Sequence, residues 1–137
     1  MKKLALLVVL VAVVVGGAYY FWGANRTTVQ VALSTQNASG ETGMASLREV
    51  NGNIEVTLTL TGQPGGEPQP AHIHKGTCPT PGTVLSTLTF PKDGYPAVTT
   101  LQGITLADLE AMGPLAINVH KSGAELSVYV ACGNIVF

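Results

Sequence analysis

Ala71-His72-Ile73-His74-Lys75-Gly76-Thr77-Cys78 is the stretch on which the fold and chemistry of this chain turn. Two of the three histidines stand here with one apolar residue between them. Extended backbone sends successive side chains to opposite faces, so His72 and His74 share one face of a strand while Ile73 takes the other. Imidazoles about 7 Å apart along a strand can share a metal ion if a third ligand approaches. The third histidine, His120, closes a second strand-like run, Leu115-Ala116-Ile117-Asn118-Val119-His120. There Ile117 and Val119 alternate with Asn118 and His120, so all three histidines fall on polar faces of strands whose opposite faces are core. A cysteine follows each group: Cys78 after the pair, Cys132 after the single histidine.

The flanks extend the same pattern. Val29, Val31 and Leu33 alternate with polar residues in a first strand, followed by a polar loop from Ser34 to Gly43. Met44 to Val50 and Asn53 to Thr61 flank Asn51-Gly52, the strongest hairpin signal in the chain. Ile54, Val56, Leu58 and Leu60 mark a half-buried second arm. Gly62 to Pro70 is a loop rich in proline and glycine that delivers the chain into the His-Ile-His strand. Gly76 to Gly82 is another loop, Thr83 to Phe90 a strand, and Pro91-Lys92-Asp93-Gly94 a turn. Thr105 caps a short helix over Leu106 to Met112, ended by Gly113-Pro114. The His120 strand follows, then a turn at Ser122-Gly123, then a strand from Glu125 to Ala131 running into Cys132. Seven or so short strands with turn punctuation predict an all-β domain, an antiparallel sandwich or Greek-key barrel with one short helix.

At 137 residues the chain has room for one domain with a real core. Only 11% of residues are charged. From Thr27 onward four basic residues (Arg48, Lys75, Lys92 and Lys121) face eight acidic ones, a net of −4. Phosphate neutralisation needs clustered Lys and Arg, so nucleic-acid binding is excluded as a function.

The first 26 residues read as a targeting element ahead of a domain spanning 27–137. Lys2-Lys3 precedes nineteen uncharged residues, Leu4 to Trp22, that would reach roughly 28 Å as a helix, close to a bilayer's hydrocarbon thickness. Tyr19, Tyr20 and Trp22 gather at its far end, as interfacial aromatic residues do. The lysines stay cytoplasmic by the positive-inside rule, which places the domain on the periplasmic or extracellular side, anchored through residues 4–22. A cleaved signal peptide, cut near Gly16-Gly17-Ala18, is the alternative. Both readings export the domain, and an oxidising compartment lets its two cysteines pair.

Neutral imidazoles suit copper or zinc, and the Irving–Williams order favours copper. Three nitrogens can hold Cu(I) in a trigonal plane, or Zn(II) with a water in fourth position. No acidic residue stands beside the histidines in sequence, although folding can bring Asp93 or Glu125 to them. The cysteines are an alternative ligand pair. Met44 and Met112 fit core packing better than soft copper ligation. Asn25 and Asn37 open glycosylation sequons. No nucleophile motif, phosphate loop or carboxylate pair is present.

Ala71-His72-Ile73-His74-Lys75-Gly76, then Cys78, then Ile117-Asn118-Val119-His120, then Val130-Ala131-Cys132-Gly133-Asn134-Ile135 resembles the copper–zinc superoxide dismutase superfamily. That family carries a His-x-His strand, a later Val-His and a closing Ala-Cys-Gly-x-Ile in this order on a Greek-key barrel. The stretch Leu106 to His120, ending Asn-Val-His, is similar to CHRD domains. The resemblance implies copper ligation by His72, His74 and His120 and a disulfide from Cys78 to Cys132. It also exposes departures. The histidine that bridges copper to zinc has no counterpart, the zinc-binding loop shrinks to Thr77–Gly82, and the long loop before the closing cysteine shrinks to Lys121–Ala131. The substrate-guiding arginine is replaced by Tyr129. These losses remove the positive funnel that speeds an anion's arrival by roughly 10 to 10³-fold, so binding is better supported than turnover. The leading expectation is an exported copper-binding domain. A reduced copper-only dismutase and a CHRD-like structural or interaction module are the alternatives.

Overall fold

A computed structural model describes residues 27–64, 68–92 and 94–137. Eight antiparallel strands form the domain: β1 (Thr28–Thr35), β2 (Thr42–Val50), β3 (Asn53–Thr61), β4 (Ala71–Lys75), β5 (Val84–Leu88), β6 (Ala97–Leu101), β7 (Leu115–His120) and β8 (Tyr129–Ile135). Among the described residues one helix, α1 (Leu106–Ala111), links β6 to β7. The strands run β5-β4-β7-β8-β1-β2-β3-β6 in one sheet. Its two edges approach each other where Thr89, just past β5, bonds to β6: its amide donates to Thr99 Oγ1 at 2.7 Å and its hydroxyl to the Val98 carbonyl at 2.8 Å. The result is a nearly closed barrel. Bringing β7 back beside β4, with β5 and β6 on the other side, is a Greek-key order.

Local sequence accounts for each element. Asn51 and Gly52 both take positive φ (51° and 73°), as a type I′ turn requires, and β2 and β3 pair in unbroken register from Val50↔Asn53 to Thr42↔Thr61. Alternate residues of β1 and β3 (Val29, Val31 and Leu33; Ile54, Val56, Leu58 and Leu60) fill the interior with Ile73, Ile117 and Val119 from the opposite wall. Strand β1 serves both halves, pairing with β2 over Thr28–Leu33 and with β8 at Ser34 and Thr35. Gly133 makes this crossing possible, since a Cβ there would lie 2.4 Å from the Ala32 carbonyl oxygen. Thr105 caps α1: its hydroxyl accepts from the Asp108 amide at 3.2 Å while the Asp108 carboxylate accepts from the Thr105 amide at 2.9 Å. Leu106 and Leu109 turn inward and close the barrel end beside the Asn51-Gly52 hairpin. The other end holds a buried chain in which Gln63 donates to Gln69 at 2.7 Å and Gln69 donates to Glu41 at 2.9 Å. Burial pushes the Glu41 carboxyl above the usual carboxylate range, partly offset by the Gln69 bond.

Several details differ from the sequence reading. Residues 125–128, expected to open the last strand, belong instead to a turn-containing loop over 121–128, and β8 begins at Tyr129 and runs through Cys132 to Ile135. Lys121 grips Glu125 at 2.9 Å, and the Glu125 amide is satisfied by Ser122, so that segment bonds to itself instead of joining a ladder. Strand β6, absent from the sequence reading, pairs with β3 from Ile54↔Leu101 to Leu58↔Ala97. The polar loop after β1 is shorter than expected, because β1 keeps Ser34 and Thr35 to pair with β8. Among the described residues no helix is long and apolar enough to cross a membrane. The expected anchor or signal segment at 1–26, with Asn25, lies outside the described residues.

Candidate metal centre

Strands β4 and β7 lie side by side with His72 opposite Asn118, His74 opposite Ala116 and Ala71 opposite Val119. Ile73 packs into the core, so the histidines of β4 project from the outer face, as does His120 from β7. Between Ile73 and His74 the pairing with β5 slips by one residue, a bulge of the kind that re-aims a side chain. The three rings meet there. Their centroids stand 4.9 Å (His72–His120), 5.5 Å (His72–His74) and 5.7 Å (His74–His120) apart. One nitrogen from each lies within 4.8 Å of the others.

Hydrogen bonds assign the tautomers. A carbonyl oxygen only accepts, so His74 Nδ1, 2.8 Å from the Gly82 carbonyl, carries its proton. His120 Nδ1 likewise donates to the Leu126 carbonyl. Both rings, when neutral, therefore present an unprotonated Nε2, the arrangement in which an outer partner fixes ring orientation for metal binding. His72 Nδ1 lies 2.9 Å from His120 Nε2 and donates to it in the metal-free state. His74 Nε2 is buried and has no partner. Leaving such a group unsatisfied costs about 1–3 kcal/mol, which a ligand accepting that lone pair offsets.

The donor set fits a metal. Bonds of about 2.0–2.1 Å at trigonal or tetrahedral angles place ligand nitrogens about 3.3–3.5 Å apart. The spacings here run from 2.9 Å to no more than 4.8 Å, so small ring rotations reach the required geometry. Electrostatics point the same way. Burial, then repulsion from His120 and His74, lowers the pKa of His72. Burial also lowers that of His120, opposed by the bond to Leu126 and helped by His74. Rings that resist protonation keep their lone pairs for a cation.

The surroundings correct parts of the sequence reading. The face carrying the histidines is largely covered: His74, His120 and Asn118 are buried and His72 is half-buried, with the loop from Gly76 to Gly82 reaching His74 and the Leu126 carbonyl and Tyr129 ring reaching His120. That loop is tied down by the Cys78–Cys132 disulfide, by the Cys78 amide donating to Asn134 Oδ1 at 2.8 Å, and by the Gly76 amide donating to the Pro114 carbonyl. The cysteines are consequently a bridge and not ligands. Glu125 is engaged by Lys121 on the surface and adds no carboxylate, and Asp93 lies outside the described residues. Met44 and Met112 are both exposed rather than packed in the core. Asn37 spends its side-chain amide on the Tyr129 carbonyl at 2.9 Å. Tyr129 itself sets its ring edge-on to His120, with centroids 5.2 Å apart. Sequence reasoning found all three imidazoles but missed the carbonyls of Gly82 and Leu126, which no side-chain pattern can announce. It also missed the burial of Asn118.

The CHRD domain family matches residues 23–125, three quarters of the chain, and the chain belongs to that family. The match takes in all three histidines and Cys78 and stops before β8. No curated protein matches the chain.

Proposed function

We propose that this CHRD domain is an exported copper-binding module that holds one ion through His72 Nδ1, His74 Nε2 and His120 Nε2. The observation that carries the reading is the pinning of two imidazoles by main-chain carbonyls, which leaves their Nε2 lone pairs directed into one cluster, one of them buried and unpartnered. A bound copper ion would supply redox chemistry. The protein's part is to hold three neutral nitrogens and shield two of them from water. The strand order, the Cys78–Cys132 bridge and the His-x-His strand all accord with kinship to the copper–zinc superoxide dismutase superfamily. The site is nonetheless poor for dismutation: Tyr129 replaces the guiding arginine, and the domain's charge repels an anion. Storage, transfer or sensing of copper fits better than turnover. The bridge also accords with a periplasmic or extracellular location, held at the membrane by residues 4–22.

A second reading, a structural or interaction module, is favoured by membership of the CHRD family without any carboxylate at the histidine cluster. Metal analysis of the purified protein, offered Cu(I), Cu(II) and Zn(II) in turn, separates the two. Copper retained at one ion per chain and lost in the His72→Ala/His74→Ala/His120→Ala variant supports the copper module. No retention, with the triple variant unchanged in every respect, leaves the structural module. Superoxide consumption above the buffer blank by the copper-loaded protein would restore the enzymatic alternative.

A further inference from the structure

Among the described residues, five buried side-chain polar atoms have no hydrogen-bond partner, and three of them belong to the paired strands β4 and β7: His74 Nε2 on one, Nδ2 and Oδ1 of Asn118 on the other. Asn118 has no accessible surface. It stands in β7 between Ile117 and Val119, both core residues, where an apolar side chain of the same size would be cheaper to bury. Register places it directly across from His72 on one side and Cys132 on the other, two residues before His120 on the same face. Opposed residues on one face have Cβ atoms about 4.5–5.5 Å apart, so the carboxamide reaches the ground between the imidazoles. None of the polar groups around it satisfies it. His72 Nδ1 is spent on His120, the Asn134 oxygen on the Cys78 amide, and the nearby sulfurs are in the disulfide. His74 Nε2 and Asn118 Oδ1 are thus orphaned acceptors on the same face of neighbouring strands, and one cation held by the histidines is a partner that both can face, with the Asn118 amide N–H left as a donor.

We propose that Asn118 is the fourth donor of the metal centre, its Oδ1 facing the ion held by the three histidines. The consequence is selectivity. An amide oxygen is a hard neutral donor that suits a four-coordinate divalent ion, Zn(II) or Cu(II), whereas Cu(I) is content with three nitrogens. Asn118 thereby biases the site toward divalent ions and toward the oxidised form of copper. This inference rests on the three-histidine reading above.

Chelator-competition titrations of the full-length protein with Zn(II), Cu(II) and Cu(I), on the wild type, Asn118→Leu and Asn118→Asp, test it. Asn118→Leu is expected to weaken both divalent ions by about tenfold or more, the scale of losing a supporting group, and to leave Cu(I) within about threefold. Asn118→Asp, which puts a charged oxygen in the amide's place, is expected to tighten the divalent ions by more than it tightens Cu(I). Circular dichroism of the metal-free variants reports folding, and if Asn118→Leu does not fold, the comparison rests on Asn118→Asp. An equal change for all three ions, or none, overturns the proposal. So does divalent affinity unaltered in Asn118→Leu, with a buried water bonded to the wild-type amide. If the wild type binds none of the three ions, the histidine site itself is refuted and this inference with it. Metal bound tightly but indifferently to position 118 refutes the inference alone.

Discussion

Replacing both cysteines, Cys78→Ala with Cys132→Ala, perturbs the fold and the site through one bond. The bridge spans a sequence separation of 54 residues, from the loop after β4 to the middle of β8. Closing a loop of that length in the unfolded chain removes entropy equivalent to about 4 kcal/mol. For a domain of this size each 1 kcal/mol moves the melting temperature by roughly 4 °C, so the double variant should melt about 15 °C lower. The loop keeps other tethers, since Gly76 still donates to the Pro114 carbonyl and Gly82 to that of Lys75 at 2.6 Å. The barrel should therefore remain folded at room temperature, with urea denaturation reporting the full loss. The second effect is local. Gly82 supplies the carbonyl that orients His74, and a loop freed at Cys78 holds that carbonyl less firmly, so metal affinity should fall while the stoichiometry stays. Urea titration of both proteins without metal measures the first effect, and alkylation of the wild type without reductant checks its premise. A stability loss under about 1 kcal/mol, or two alkyl groups added to the unreduced wild type, would refute the reasoning.

The remaining expectations concern the barrel and its titration. Gly133→Ala forces a Cβ against the Ala32 carbonyl and Val31, and should destabilise by about 1–3 kcal/mol in urea, whereas a loss within error would show that β1 and β8 can separate freely. Gly52→Val puts a β-branched side chain at φ 73° and should cost about 1–2 kcal/mol without touching metal affinity; unchanged urea stability would count against the type I′ turn. The pH dependence follows from the lowered pKa values of His72 and His120 relative to the ordinary 6.5. Between the folded values and 6.5 the unfolded chain binds more protons than the native one. The corresponding stability is thus complete above 6.5 and declines as pH falls through that window. Urea midpoints of the metal-free protein should drop below about pH 6.5, and a rise there would contradict the burial of these rings.

Much of this molecule was legible because its signals are local. Asn51-Gly52 names its own turn, Thr105 names its own cap, and strict alternation in β3 names its buried face. His72 and His74 share a face by geometry alone, so two thirds of the histidine cluster needed no tertiary information. Other features depend on partners distant in sequence. Ala97-Val98-Thr99-Thr100-Leu101 is rich in strand formers but lacks apolar–polar alternation, and it becomes a strand because β3 offers it an edge. Glu125–Val128 carries strand-like residues, yet Lys121 and Ser122 satisfy it as a turn. The outer face of β7 reads as polar, and its Asn118 and His120 are nonetheless buried in the folded domain, beside a loop tied by a disulfide to β8. Period-2 alternation separates the two faces of a strand and cannot say which of them the rest of the chain will cover.

The central claim, that one ion sits among the three imidazoles, is tested most directly by determining the crystal structure of the copper-loaded protein. The account predicts a single ion with His72 Nδ1, His74 Nε2 and His120 Nε2 each at about 2.0–2.1 Å, and with the Nδ1 protons of His74 and His120 still donated to Gly82 and Leu126. An ion bound elsewhere on the surface, or fewer than three of these nitrogens within bonding distance of it, would contradict it.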